Sequence, residues 1–232
     1  MENIFEKHNL AEAEKNIFLQ KLEESVKVAM AREAPRSKEE YEAWFKAQKE
    51  EMLKREVEND YVVESKIAEE GLFAKHDFQV GDLISEGLIS RYEKFPNAFE
   101  VEEDPDLAHN VIQIGVGEKG EGLYVGVPRQ HPRNFVNHSC DPNAGIKIVD
   151  MPDGTKNSLL LAIKKIKKDE EVVIDYGTVQ FEKWTLEGCN CGQPNCRGKM
   201  TDFGGLPEEL QEKYIALKLI PDYALKWLGR KE

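Results

Sequence analysis

No apolar run in this sequence approaches the roughly 20 residues needed to span a bilayer, so a membrane helix is not expected. The amino terminus, Met1-Glu2-Asn3-Ile4-Phe5-Glu6-Lys7, has neither a basic start nor an apolar stretch and does not resemble a signal peptide. An intracellular protein, cytoplasmic or nuclear according to its organism, is the expectation. Basic residues are in deficit: 32 Lys and Arg stand against 44 Asp and Glu, for a formal net charge of -12. Direct nucleic-acid binding is therefore not expected, because phosphate neutralisation needs clustered cations. A negative field steers a basic partner instead, although composition alone favours the plainer reading that the acidity keeps the protein soluble. Cysteine is scarce as well, with four in 232 residues. Glycine and proline are missing altogether from Met1 to Ala34.

That last absence leaves room for a helix. Ile17, Phe18, Leu22, Val26 and Ala29 recur at helical spacing. Pro35 interrupts, and Ser37 with Glu40 three residues on is a capping-box signature. Tyr41, Trp44, Phe45 and Met52 then line one face of a second helix. Residues 1–58 are thus expected to form a helical hairpin whose stripe packs on the main domain, or dimerises.

From Tyr61 the pattern changes to short apolar runs separated by turns. The runs are Tyr61–Val63, Gly71–Ala74, Asp82–Ile84, Asn110–Ile114, Leu123–Val127, Ile146–Val149, Ser158–Ile163 and Glu171–Ile174. Val80-Gly81-Asp82, Pro152-Asp153-Gly154 and Lys168-Asp169-Glu170 are turn signals between them. Lys164-Lys165-Ile166-Lys167-Lys168 reads as strand running into turn rather than as a nuclear address. The chain is expected to be mainly β, built of small sheets with flanking helices, and to turn helical again around Pro207–Leu217 and Tyr223–Leu228.

The four cysteines are Cys140, Cys189, Cys191 and Cys196, the last three spaced C-x-C-x4-C among Gly192, Pro194 and Gly198. Such residues let a backbone turn tightly round a metal. Disulfides fit poorly with the absence of a secretion signal. Three exposed thiols and one buried thiol are disfavoured, since exposed thiols are reactive and free cysteine prefers the interior. One structural zinc held by four thiolates, with Cys140 brought in from a distant loop, is the expectation.

Asn137-His138-Ser139-Cys140-Asp141-Pro142-Asn143 resembles the N-H-S-C-x-P-N signature of SET-domain methyltransferases. Glu170-Glu171-Val172-Val173-Ile174-Asp175-Tyr176 is similar to their E-E-L-T-F-D-Y segment. Cys189 through Gly198 resembles the post-SET motif C-x-C-x4-C-R-G, and Gly71-Leu72-Phe73-Ala74 the end of a G-x-G-[VL]-F-A turn. The resemblance implies a β-clip of small curled sheets. In it the Asn137–Cys140 segment and the segment ending at Tyr176 pack as a pseudoknot. It divides the chain into a helical extension (1–58), a SET domain (59–180), a post-SET zinc segment (181–200) and a helical tail (201–232).

The function implied is protein-lysine N-methylation with S-adenosylmethionine as donor and zinc as structural metal. The partner is a protein with an exposed lysine, expected to be basic. Tyr176 would be the central catalytic side chain. Glu70, Gly71, Leu72, Asn137 and His138 would bind the cofactor, and Cys140, Cys189, Cys191 and Cys196 the metal. Trp184 and Phe181 read as core. Several positions depart from the family: Glu69 stands for its first glycine, Asn134 for an arginine that is displaced to Arg133, and Ser85-Glu86-Gly87-Leu88 where a tyrosine is usual. These departures motivate a second reading, a catalytically idle SET-like module that holds a peptide.

Overall fold

A computed structural model describes residues 11–32, 34–35, 37–89, 111–126 and 131–230, the side chain of Val57 excepted. Asn110 and Val127, the outer ends of two expected strands, lie outside these residues. The described part contains β1 (Asp60–Glu64), β2 (Glu70–Ala74), β3 (Leu83–Ile89), β4 (Val111–Val116), β5 (Gly122–Gly126), β6 (Asn137–His138), β7 (Ala144–Asp150), β8 (Lys156–Ala162), β9 (Val173–Ile174), β10 (Thr185–Glu187) and β11 (Lys199–Thr201). The helices are α1 (Glu12–Met30), α2 (Lys38–Asn59), α3 (Glu208–Ala216) and α4 (Asp222–Trp227). The strands form small sheets: antiparallel pairs β1-β2, β4-β5 and β10-β11, a three-stranded β3-β8-β7, and a parallel pair β6-β9.

The sequence Leu159-Leu160-Leu161-Ala162-Ile163 is apolar without alternation because β8 is the middle strand and is covered on both faces. Leu159, Leu161 and Ile163 enter a core shared with α1, α3 and α4, while Leu160 and Ala162 enter a second core with Leu72, Ile146, Val136 and Ile174. Phe18, Leu22 and Ala29 of α1 are buried in the first core beside Tyr214, Leu217 and Leu225. The two ends of the chain therefore meet over one sheet. Ile17 lies at the edge of the expected stripe and remains exposed. Gly81 fits this docking closely, since its φ is +83° and a Cβ there would lie 2.8 Å from the Cβ of Lys21 on α1.

Ser37 caps α2. Its hydroxyl accepts from Glu40 N at 3.3 Å and donates to Glu40 Oε2 at 2.8 Å. Tyr41 and Met52 are buried, and the Tyr41 hydroxyl pairs with Thr155 Oγ1 at 2.8 Å. Beyond them α2 contributes charge to the interior. Glu86 on β3 receives Arg32 at 2.7 Å and Arg55 at 2.8 Å. Arg133 is buried and donates to Ser158 O at 3.2 Å and Oγ at 2.9 Å. A Cβ on Gly87 would lie 2.6 Å from Arg133 Nη1. The glycine in β3 and the displaced arginine are thus two halves of one feature.

Asp60, the residue that ends α2, is buried and neither carboxylate oxygen has a hydrogen-bond partner. Burial raises its pKa to about 7, against the opposing charges of Lys75 and Arg133. A carboxyl whose folded pKa lies above its unfolded value contributes its full stability below the unfolded pKa. That stability is lost as pH rises through the folded pKa near 7. Asp60→Asn, which mimics the protonated form, should match the wild type in thermal unfolding near pH 4. By pH 8 it should be the more stable protein, by on the order of 2 kcal/mol. Equal stability of the two proteins across that range would show that Asp60 ionises without penalty.

Candidate active site and cysteine cluster

The parallel pair β6-β9 organises the site. Asn137 lies opposite Val173 and His138 opposite Ile174, and Ser139 N extends the contact by donating to Ile174 O at 2.9 Å. Two segments more than thirty residues apart are thereby fixed side by side, and Tyr176 emerges just beyond the pair. Asn143 reinforces the crossing: its Oδ1 accepts from Val173 N at 2.9 Å and its Nδ2 donates to Glu171 O at 2.8 Å.

Asn137 Nδ2 donates to Glu70 O at 2.8 Å and to Glu171 Oε1 at 2.7 Å, so this buried amide holds the Gly71 turn against β9. A Cβ on Gly71 would lie 2.3 Å from Glu171 Oε1. The room left by the glycine is taken by that carboxylate, which also accepts from the Ser65 hydroxyl at 2.8 and 3.0 Å. Leu72 has its side chain in the core and its carbonyl engaged by Val172 N at 2.7 Å. Glu171 and Ser65 are further candidate site residues, which the motif reading passed over because their meeting with Gly71 is made by the fold.

Tyr176 donates its hydroxyl to Val136 O at 3.0 Å. Burial pushes its pKa up to about 12, with the charge of Glu171 adding to the effect, so the phenol stays protonated. Its backbone N–H donates to His138 Nδ1 at 3.2 Å. That bond assigns the ring proton of the neutral imidazole to Nε2, which faces Cys140 Sγ at 3.4 Å. The imidazole is kept neutral chiefly by burial, with its pKa lowered to about 4 despite the nearby Asp175. The His138 ring therefore links the tyrosine to the cysteine cluster. Ile174 is buried in the second core, and Tyr176 packs against that core. Phe181 is core against Phe203 and Tyr223.

The four Sγ atoms of Cys140, Cys189, Cys191 and Cys196 all lie within 4.8 Å of one another, with Cys140 and Cys189 3.9 Å apart. Four thiolates round a zinc at about 2.3 Å would be separated by about 3.8 Å, so the donor set fits that ion. N–H groups already point at the sulfurs: Arg197 N at Cys140 Sγ (3.3 Å) and Gly198 N at Cys196 Sγ (3.4 Å). Burial raises the thiol pKa of Cys140 and, to about 11, that of Cys189. At Cys191 burial also opposes ionisation, but N–H donors and neighbouring thiols outweigh it and bring the thiol to about 7. The β10-β11 pair closes the loop that carries three of the cysteines, Gly188 N and Cys189 N both donating to Gly198 O at 3.0 Å.

Small sheets, a parallel contact between an Asn-His and an Asp-Tyr segment, and a cysteine cluster beside it are now all in place. Residues 69–177 match the family model of the SET domain. This segment is a SET domain. Among curated proteins the chain is similar to the H3 lysine-4 specific histone-lysine N-methyltransferase of Emericella nidulans. The two are 40% identical over 68 residues, 28% of this chain and 5% of the relative. It is also similar to the histone-lysine N-methyltransferase trithorax of Drosophila virilis, at 30% identity over 148 residues, 62% of this chain and 4% of the relative. The H3 lysine-36 specific histone-lysine N-methyltransferase of Candida glabrata is 27% identical over 187 residues, 77% of this chain and 25% of the relative. The chain thus spans a quarter or less of each of these relatives. The SET domain runs from the Gly71 turn to the tyrosine and its following glycine, and leaves three of the four cysteines outside it.

Proposed function

We propose that this protein is a protein-lysine N-methyltransferase that uses S-adenosylmethionine and carries one structural zinc. The observation that carries the reading is the convergence of Asn137, the Gly71 turn and Tyr176 at the β6-β9 crossing. When bound, S-adenosylmethionine supplies an electrophilic methyl group on a sulfonium. Asn137 with the backbone of Glu70, Gly71, Leu72 and His138 would hold it, and the negative Glu171 beside them suits a ligand that bears positive charge. Cys140, Cys189, Cys191 and Cys196 would hold the zinc.

Tyr176 has a role that follows from its hydrogen bond. The Val136 carbonyl accepts the phenolic O–H hydrogen bond, so the phenol oxygen is left as an acceptor toward other donors. An incoming lysine amine that donates to this oxygen has its own lone pair turned elsewhere, toward the methyl. The amine must be neutral to react, and a lysine withdrawn from water beside a cationic donor has its pKa lowered. Fixed alignment of this kind contributes up to about 7–11 kcal/mol in favourable systems. The net acidity of the chain suits a basic protein segment, and histones, on which the named relatives act, are substrates of that class.

The idle-module reading rests on the altered early strand and glycine turn. Labelled S-adenosylmethionine incubated with a mixture of basic proteins separates the two. Label recovered on lysine is the expected outcome; tight peptide binding with no transfer would favour the module. Asn137→Ala should weaken cofactor binding about tenfold or more in calorimetry. It removes the side-chain bond to the Glu70 carbonyl and leaves the Glu171 carboxylate only the Ser65 hydroxyl as side-chain donor. An unchanged dissociation constant would take Asn137 out of the cofactor site.

A further inference from the structure

Asp175, the residue before Tyr176, has a fully buried carboxylate that three separate parts of the chain share. Its Oδ1 accepts from Arg197 Nη2 at 2.8 Å and from Gly177 N at 3.2 Å, and its Oδ2 from the Tyr214 hydroxyl on α3 at 3.2 Å. Arg197 follows Cys196 directly, and its backbone N–H donates to Cys140 Sγ at 3.3 Å. One residue therefore touches a thiol of the cysteine cluster with its main chain and the carboxylate beside Tyr176 with its side chain. The guanidinium is largely buried, while its Nε and Nη1 have no hydrogen-bond partner. An arginine buried with two of its three nitrogens unpartnered is an expensive way to stabilise a loop, which an apolar side chain would do better. What the arginine does provide is direction: it fixes Asp175 from the side of the cluster, while His138 and Val136 fix Tyr176 from the side of β6.

We infer that Arg197 is a positioning residue for Tyr176, and that the geometry of the cysteine cluster reaches the site through the Arg197–Asp175 ion pair. This inference rests on the role given to Tyr176 above. With Arg197 removed, Asp175 keeps only Gly177 N–H and the Tyr214 hydroxyl for a buried charge, and the turn Tyr176–Thr178 that follows must relax to solvate it. A displacement of about 1 Å at a reacting group is enough to lower a rate about a hundredfold.

The test uses full-length Arg197→Met and Arg197→Lys proteins carrying carbon-13 at tyrosine Cζ, with the Tyr176 resonance assigned through Tyr176→Phe. In Arg197→Met the zinc content should equal that of the wild type, and the Tyr176 resonance should move. In the same protein kcat should fall tenfold or more with the cofactor dissociation constant unchanged. Arg197→Lys returns a cation to Asp175 and should recover part of both the resonance position and kcat. An unmoved resonance with wild-type kcat in Arg197→Met overturns the inference. So does loss of zinc alongside the resonance change without recovery in Arg197→Lys, because Arg197 would then serve the loop alone. If Arg197→Met does not fold, Arg197→Gln takes its place: a Tyr176 resonance shifted at native zinc content supports the inference, and an unshifted one overturns it. Zinc content and the resonance are read without turnover, so an inactive wild type would count against the proposed function and not against this coupling.

Discussion

Cys191→Ser protein purified without chelator is expected to hold far less than one zinc per chain, where the wild type holds about one. The loss should reach well beyond the loop. A structural four-thiolate zinc contributes an apparent binding free energy on the order of 10 kcal/mol, comparable with the whole stability of a domain. Apart from the Arg197–Asp175 ion pair, the 188–198 loop has a light fastening: its closing strands β10 and β11 have three residues each, and β10 is exposed throughout. The cluster is also what brings Cys140, at the end of the β6 segment, to Cys189 and Cys196. Limited proteolysis of Cys191→Ser should therefore cleave between β10 and β11 at protease concentrations that leave the wild type intact. Chelation of the wild type should reproduce the same fragments. Full zinc occupancy in Cys191→Ser, or a wild type devoid of zinc, would remove the metal from the account.

Tyr176→Phe is expected to lower turnover about a hundredfold or more at saturating substrate while cofactor affinity changes little. The comparison is with deletion of a single preorganised hydrogen-bonding group at other reacting centres, which costs about 10²–10³ in kcat. The ring remains to pack against the second core and His138, so the fold should persist. The Val136 carbonyl loses its donor, and a modest destabilisation of about 1–3 kcal/mol should accompany the kinetic effect. Because the role proposed for the hydroxyl is on the amine as it reacts, the defect is expected in kcat more than in binding. Undiminished kcat in a folded Tyr176→Phe protein would leave this tyrosine as a packing residue.

Much of this was legible in the sequence for identifiable reasons. The strands were bounded by turns with strong local chemistry, such as Gly81 and Gly154 at φ near +83° and +84° and Asp169 at +63°. Such residues report backbone conformation without any knowledge of the fold. Ile166, the one apolar residue inside the basic run, pairs with Phe78 and is fully buried. The cysteine spacing implied one cluster, and the four sulfurs do lie together. Less visible were partners chosen across long separations. Nothing local marks Asp175 as the meeting point of Arg197 and Tyr214, or Glu171 as the group lodged at Gly71. The pairing of Gly87 with Arg133 was likewise invisible: each looked like an isolated departure, and only the packing of β3 against the 132–135 turn makes them one. Helical periodicity placed Ile17 within the stripe of α1, but Phe18, not its neighbour, reaches the core.

The most direct test of the central claim is mass analysis of a basic protein substrate after incubation with the wild-type enzyme and S-adenosylmethionine. The account predicts a mass increase of whole methyl groups that fragmentation places on a lysine side chain, and its near-absence when Tyr176→Phe replaces the wild type. No methyl gain on any lysine, from a protein shown by calorimetry to bind S-adenosylmethionine, would contradict it.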